Sequence, residues 1–217
     1  MKHLFFDLDG TVVDSSEGIK SGFRAAFTSM NTEIPSDSIL DTFIGPPLEV
    51  SFSDFGDKDW VKAAIHAFRH DYKESGVYQV EVYEGLTELL STLQSLGYQL
   101  YITTSKNEPM AHKMLSYLDI DYYFTGIYGA LPDSYHKADV IKRAILENHL
   151  SLDECAIIGD TKFDIIGGKK VGIQTLGVLW GFGTKEDLQA CQADYLFQTP
   201  KELLHFLSTR SSNSIKK

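Results

Sequence analysis

An α/β fold, a parallel sheet covered by helices and interrupted early by a helical insertion, follows from three observations. Short apolar runs alternate with helix-period segments from residue 84 onward, and a strand-like run, Leu4-Phe5-Phe6, stands apart near the N-terminus. Between them, residues 15–83 carry helical periodicity with few strand signals. Near-continuous apolar strands separated by amphipathic helices are the pattern of a parallel sheet buried on both faces. At 217 residues, 43% of them hydrophobic, the chain fits one core with a moderate insertion better than two independent domains.

The first strand covers residues 4–7 and must join the sheet from a distance. Within the insertion, Ile19, Phe23 and Phe27 recur at helical spacing, as do Val61, Ile65, Phe68 and Tyr72. Gly45-Pro46-Pro47 separates these segments with a rigid turn, because proline fixes φ and withholds a backbone donor. Leu86, Leu89, Leu90, Leu93 and Leu96 line one face of a helix that Gly97 stops, and residues 98–104 then read as a strand. A helix follows over 109–118. Val140, Ile141, Ala144 and Ile145 mark another, leading to a buried strand at 155–158 that exits through Gly159-Asp160. Strand candidates at 172–179 and 194–197 precede a short helix over 200–207. The Ser-rich, basic tail, 209–217, has little to bury and is expected to be disordered. The domain division is therefore a core of 1–14 and 84–208 around an insertion of 15–83.

A formal charge of -10 opposes nonspecific nucleic-acid or anionic-membrane binding, since phosphate backbones would be repelled overall. A small anionic substrate stays compatible, because one metal ion and one lysine can invert the local field. No apolar stretch approaches membrane-spanning length, and the polar Met1-Lys2-His3 start runs straight into a strand, so no signal peptide is expected and the cytoplasm is the default. Cys155 and Cys191 lack metal-site spacing and read as packing residues.

Four motifs carry chemistry. Asp7-Leu8-Asp9-Gly10-Thr11 puts two carboxylates where a buried strand ends; side chains at i and i+2 of an extended segment share a side, so Asp7 and Asp9 can converge. Such a pair is tolerated with a cation between its members or with one proton retained, and an Asp-Gly turn is the bland account. Thr103-Thr104-Ser105-Lys106 follows a strand, where hydroxyls and backbone N–H groups can hold phosphate oxygens or simply cap a helix. Lys137 precedes a helix, a position usually filled by a solvated charge. Gly159-Asp160-Thr161-Lys162-Phe163-Asp164 sets two carboxylates one helical turn apart, as a hard-cation site requires, with N-capping by Asp160 the competing account.

In this order and spacing the four motifs resemble those of the haloacid dehalogenase-like phosphatase superfamily, and the resemblance runs to about residue 207. It implies a Rossmann-like parallel sheet core with an inserted α-helical cap domain. Asp14-Ser15, Ile44-Gly45-Pro46-Pro47-Leu48 and Val82-Tyr83-Glu84-Gly85 look like the cap junctions and cap loop of the phosphoglycolate phosphatase group, whereas His136-Lys137-Ala138-Asp139-Val140-Ile141 is more like its 5′-nucleotidase-like branch. The resemblance further implies Asp7 as nucleophile, Asp9 as acid and base, and Thr104, Ser105 and Lys137 on the phosphoryl group. Mg²⁺ would be held by Asp7, the Asp9 carbonyl, Asp160 and Asp164. Ser105 stands where relatives frequently have asparagine, and Ala138 where many have proline. Gly45 on the cap loop and Arg24 are candidate contacts to the rest of a small phosphorylated metabolite, and the protein is expected to be a monomer or homodimer. Asp9 argues against dehalogenase chemistry, which has no alkoxide to protonate. A sugar-phosphate mutase, a pyrophosphatase and a noncatalytic phosphate- or Mg²⁺-binding module are the alternatives.

Overall fold

The structure, a computed structural model, describes residues 1–131 and 136–214, with side chains through Arg210. In chain order its elements are β1 (His3–Phe6), β2 (Val13–Asp14), α1 (Ser16–Ser29), α2 (Asp37–Asp41), α3 (Leu48–Phe52), α4 (Lys58–Glu74) and β3 (Glu81–Val82). There follow α5 (Leu86–Ser95), β4 (Gln99–Asn107), α6 (Glu108–Tyr117), β5 (Gly126–Ala130) and α7 (Lys137–Glu147). The last are β6 (Cys155–Gly159), α8 (Lys162–Val171), β7 (Gln174–Val178), α9 (Lys185–Ala190), β8 (Tyr195–Phe197) and α10 (Pro200–Ser214). Two compact units result: Met1–Asp14 together with the chain from Val82 onward, and Ser15–Glu81.

In the larger unit six strands form one sheet in the order β5-β4-β1-β6-β7-β8, and each pairing is parallel. β1 lies in the middle, with Phe5 and Phe6 registered against Tyr101 and Ile102 on one side and Ile157 and Ile158 on the other. Leu4, Phe5 and Phe6 are fully buried, as a central strand covered on both faces demands. From β1 the chain builds first through β4 to β5, then returns to add β6, β7 and β8 on the opposite side. Strand order thus reverses at β1, and open α/β sheets bind ligands beyond the strand carboxyl ends at such a point. Phe5, Tyr101, Ile141, Ala144, Ile145 and Ile157 pack together to seat α7 on this part of the sheet.

The smaller unit is helical and has a core of its own. Phe23, fully buried on α1, meets Phe43, Phe52 and Phe68 with ring centroids 5.1, 5.1 and 4.9 Å away. Phe27, one turn further along α1, packs edge-on against Phe55 at 4.8 Å. Gly45 lies between α2 and α3 on an exposed turn, with φ of 103°.

Three features depart from the sequence reading. β5 was not anticipated: its Gly126-Ile127-Tyr128-Gly129-Ala130 sequence has two glycines and, at the sheet edge, only partial burial. β2 and β3, two residues each, are too short to show a period. The expected disorder from residue 209 is corrected, since α10 continues to Ser214. Leu203 and Leu207 are fully buried, Tyr98 Oη donates to the Leu207 carbonyl at 2.9 Å, and the Arg210 guanidinium lies 4.3 Å over Phe206 while donating to Tyr195 Oη at 2.8 Å. Residues 215–217, the rest of that tail, lie outside the described residues. Among the described residues no helix is long and apolar enough to cross a membrane. Cys155 is buried and Cys191 half-buried, both as free thiols.

Candidate active site

The carboxyl ends of β1, β4 and β6 bring the motifs together. Lys137, only 6% exposed, is not the solvated charge its sequence context suggests. Its ammonium lies 2.7 Å from Asp7 Oδ1 and 2.8 Å from Asp164 Oδ1, and donates to the Thr103 carbonyl at 3.0 Å. Oxygens of Asp7, Asp160 and Asp164 all lie within 4.8 Å of one another, a buried group able to hold a metal ion. Carboxylate oxygens suit a hard divalent cation.

Local backbone structure explains the placement of each. β1 ends at Phe6, Asp7 N–H donates to the Ile158 carbonyl of β6 at 2.9 Å, and Leu8 bends the chain. The premise of an extended segment through Asp9 therefore fails: Asp7 turns toward Lys137, and Asp9 Oδ1 pairs with Lys106 Nζ at 3.0 Å. Gly10, at φ 81°, closes the turn where an added Cβ would fall 2.3 Å from Asp160 Oδ2, so both its conformation and its neighbour exclude a side chain. Asp160 is fully buried at the end of β6. Thr161, not Asp160, is the N-cap of α8, and Asp164 in the first turn accepts from Thr161 N–H and Oγ1 at 3.0 and 2.8 Å. Its other oxygen, Oδ1, is buried without a well-directed hydrogen bond and faces only the Lys137 ammonium among its described ion pairs.

Thr103, Thr104, Ser105 and Lys106, expected to follow a strand, lie instead within β4, where the register against β5 shifts between Thr103 and Asn107. Thr104 is 2% exposed and its Oγ1 accepts the Lys106 N–H at 3.1 Å, while Ser105 is exposed. Thr103 Oγ1 is buried with no hydrogen-bond partner among the described residues. Gly45 belongs to the helical unit, apart in sequence and fold unit from these residues. Arg24 pairs with Asp37 at 2.7 Å and with Glu17 at 3.8 Å, so its charge is engaged within that unit. Four residues of the site escaped sequence reasoning: Thr11, Lys106, Trp180 and Phe182. Thr11 and Lys106 sit inside motifs already singled out, and the Trp180-Gly181-Phe182-Gly183 run after β7 was a signal passed over.

Crowding sets the electrostatics. Burial, then repulsion from Asp164, pushes the Asp7 carboxyl up to about 8 despite Lys137. Burial and Asp164 likewise raise Asp160 to about 7, against the hydrogen bonds from Thr11 and Phe182. Burial alone would lower Lys137, but Asp164 and Asp7 outweigh it and hold the ammonium firmly protonated.

A parallel sheet whose reversal point gathers buried aspartates around a charged lysine defines an α/β protein with its ligand site at the strand carboxyl ends. A family model described as haloacid dehalogenase-like hydrolase matches residues 4–178, a span that takes in Asp7, Asp9, Thr104, Lys137, Asp160 and Asp164, and the chain belongs to that family. It is 33% identical over 194 residues to a 5′-nucleotidase of Pseudomonas aeruginosa, covering 88% of each chain. It is also 31% identical over 208 residues to the tyrosine-protein kinase PtkA of Mycobacterium tuberculosis, covering 95% of this chain and 69% of that one. Among solved structures, a haloacid dehalogenase-like family hydrolase from Streptococcus pneumoniae superposes with a TM-score of 0.92 at 42% identity, covering 95% of this chain and 98% of the other. Within the family the chain is an enzyme of the phosphatase kind.

Proposed function

We propose that this protein is a Mg²⁺-dependent phosphatase that hydrolyses a small phosphate monoester through an aspartyl phosphate on Asp7. The observation that carries the reading is the position of Lys137, whose one ammonium serves both Asp7 and Asp164 at the carboxyl edge of the central strands. Asp7, Asp160 and Asp164 offer only oxygen donors, one of them lacking a directed hydrogen bond, which fits a hard divalent cation. When bound there, Mg²⁺ supplies positive charge against which a carboxylate can approach a phosphate dianion. Asp7 attacks phosphorus and releases the alcohol, and Asp9 gives that alcohol its proton, then takes one from the water that cleaves the aspartyl phosphate. Lys137 offsets charge on Asp7 and on the transferring group, with Thr104 and Ser105 of β4 donating to its oxygens. The 33% identity to the Pseudomonas aeruginosa enzyme favours a nucleoside 5′-monophosphate over phosphoglycolate as the ester. Leaving-group selectivity is assigned to the helical unit, with Gly45 on its Gly45-Pro46-Pro47 turn the position to vary first.

The test is phosphate release from nucleoside monophosphates, phosphoglycolate and p-nitrophenyl phosphate, with Mg²⁺ or with chelator. Release should need Mg²⁺, and Asp7→Asn should lower it by at least about 10³-fold, as loss of a nucleophile does. Full activity of Asp7→Asn, deamidation excluded, would overturn the assignment. A second reading changes only the acceptor: the relative named as a tyrosine-protein kinase supports transfer of the phosphoryl group to a hydroxyl in place of water. Labelled phosphate that passes to an added alcohol or peptide faster than to water would decide for it.

A further inference from the structure

Asp160 is gripped from two sides by residues that the catalytic scheme does not use. Thr11 Oγ1 donates to Asp160 Oδ1 at 2.8 Å, and the Phe182 backbone N–H donates to Asp160 Oδ2 at 2.8 Å. A carboxylate has about four lone-pair sites, so these bonds, with one from its own backbone N–H, do not exhaust it. The two gripping segments are themselves fastened together, because Trp180 Nε1 donates to the Thr11 carbonyl at 3.0 Å. Close approach of the loop depends on its glycines. An added Cβ at Gly181 would lie 2.1 Å from the Gly10 carbonyl oxygen and 2.5 Å from Asp160 Oδ2, and one at Gly183 would lie 1.9 Å from the Asp160 carbonyl oxygen.

We propose that Thr11 and the Trp180-Gly181-Phe182-Gly183 loop form an orienting clamp on Asp160 that sets the protein's affinity for its divalent cation. The inference rests on the reading of Asp7, Asp160 and Asp164 as a cation site. Mg²⁺ demands near-ideal octahedral geometry and tolerates little rotation of a ligand, so a carboxylate fixed in advance binds it better than one free to turn. Outer partners of metal ligands are worth roughly 10–100-fold in affinity. Thr11, Trp180 and Phe182 are positioning residues: they act through Asp160.

The experiment is calorimetric titration of Mg²⁺ into chelator-stripped full-length protein, comparing wild type with Asp160→Asn, Thr11→Val, Thr11→Ser, Trp180→Phe and Gly181→Ala. Thr11→Val and Gly181→Ala should weaken Mg²⁺ binding by about tenfold or more. Trp180→Phe should weaken it less, and Thr11→Ser, which keeps the hydroxyl, should bind as wild type. Unfolding midpoints in chelator separate this loss from damage to the fold, and should Gly181→Ala not fold, the isosteric Thr11→Val decides. Wild-type affinity in Thr11→Val and Gly181→Ala, with binding lost in Asp160→Asn, would overturn the clamp and leave the cation site standing. Failure of the wild type itself to bind Mg²⁺ would remove the cation reading, and the clamp with it.

Discussion

Lys137 is the residue on which the core of the site turns. Its ammonium is the described counter-charge to both Asp7 and Asp164, and its stem packs against α8, where an added Cβ on Gly167 would meet Lys137 Cγ at 2.8 Å. Lys137→Met keeps the stem and deletes the charge, leaving two buried carboxylates opposed. Breaking a buried pair from one side typically costs about 3–5 kcal/mol. Metal-free Lys137→Met should therefore unfold at lower urea than wild type, added Mg²⁺ should recover part of the difference, and turnover should fall by about 10²–10³-fold. Equal or greater stability of the metal-free variant would mean that desolvating the lysine costs more than its pairs return. From sequence, Lys137 could be placed only by its order among the motifs. The residues alone predict a surface charge, because burial depends on which strands lie beside it. Lys106, whose ammonium meets Asp9, went unread for the same reason.

At the scale of elements, periodicity served wherever a segment buries one continuous face. α5 and β6 emerge almost at their predicted bounds because Leu86, Leu89, Leu90 and Leu93, and then Cys155, Ala156, Ile157 and Ile158, are buried without interruption. β5 is half-exposed and glycine-containing, so it carries no such period. α10 runs past its predicted end, where Arg210 meets Phe206 one turn back and Tyr195 of β8, and the second of these contacts no local pattern encodes. In the insertion the apolar spacing of Ile19, Phe23 and Phe27 marked α1, but not that its rings would gather Phe43, Phe52 and Phe68 into a separate core. That core makes a prediction about the unit alone. Phe23→Ala opens a cavity among three aromatic neighbours and should cost about 3–5 kcal/mol. Hydrogen exchange should quicken in α1 and α4, while amides of β4 and β6 in the other unit keep more of their protection. Equal loss of protection in both would show that the two unfold as one cooperative body.

For the whole molecule, the charge collected at the reversal of the sheet couples stability to pH. Asp7 and Asp160 are raised to about 8 and about 7, chiefly by burial and then by Asp164, whereas unfolded aspartates titrate near 4. The native state therefore holds protons that the unfolded chain has released. Their contribution is complete below about pH 4 and is lost as pH rises through about 7 and 8, so these two groups make the metal-free protein progressively less stable across that window. A divalent cation binds the deprotonated carboxylates of the native site and favours the native state by mass action, so its effect must have the opposite slope. Thermal midpoints measured from pH 5 to pH 9 should thus diverge: the shift produced by excess Mg²⁺ grows with pH and is smallest at pH 5, where the cation must displace protons. Asp160→Asn removes one titrating ligand and should flatten both curves. A Mg²⁺-induced shift independent of pH in the wild type would show that the cation binds somewhere other than these aspartates. Among the described residues Asp7, Asp160 and Asp164 are the one group of such side chains close enough together to hold a metal ion, so no second cluster of that kind imitates this behaviour.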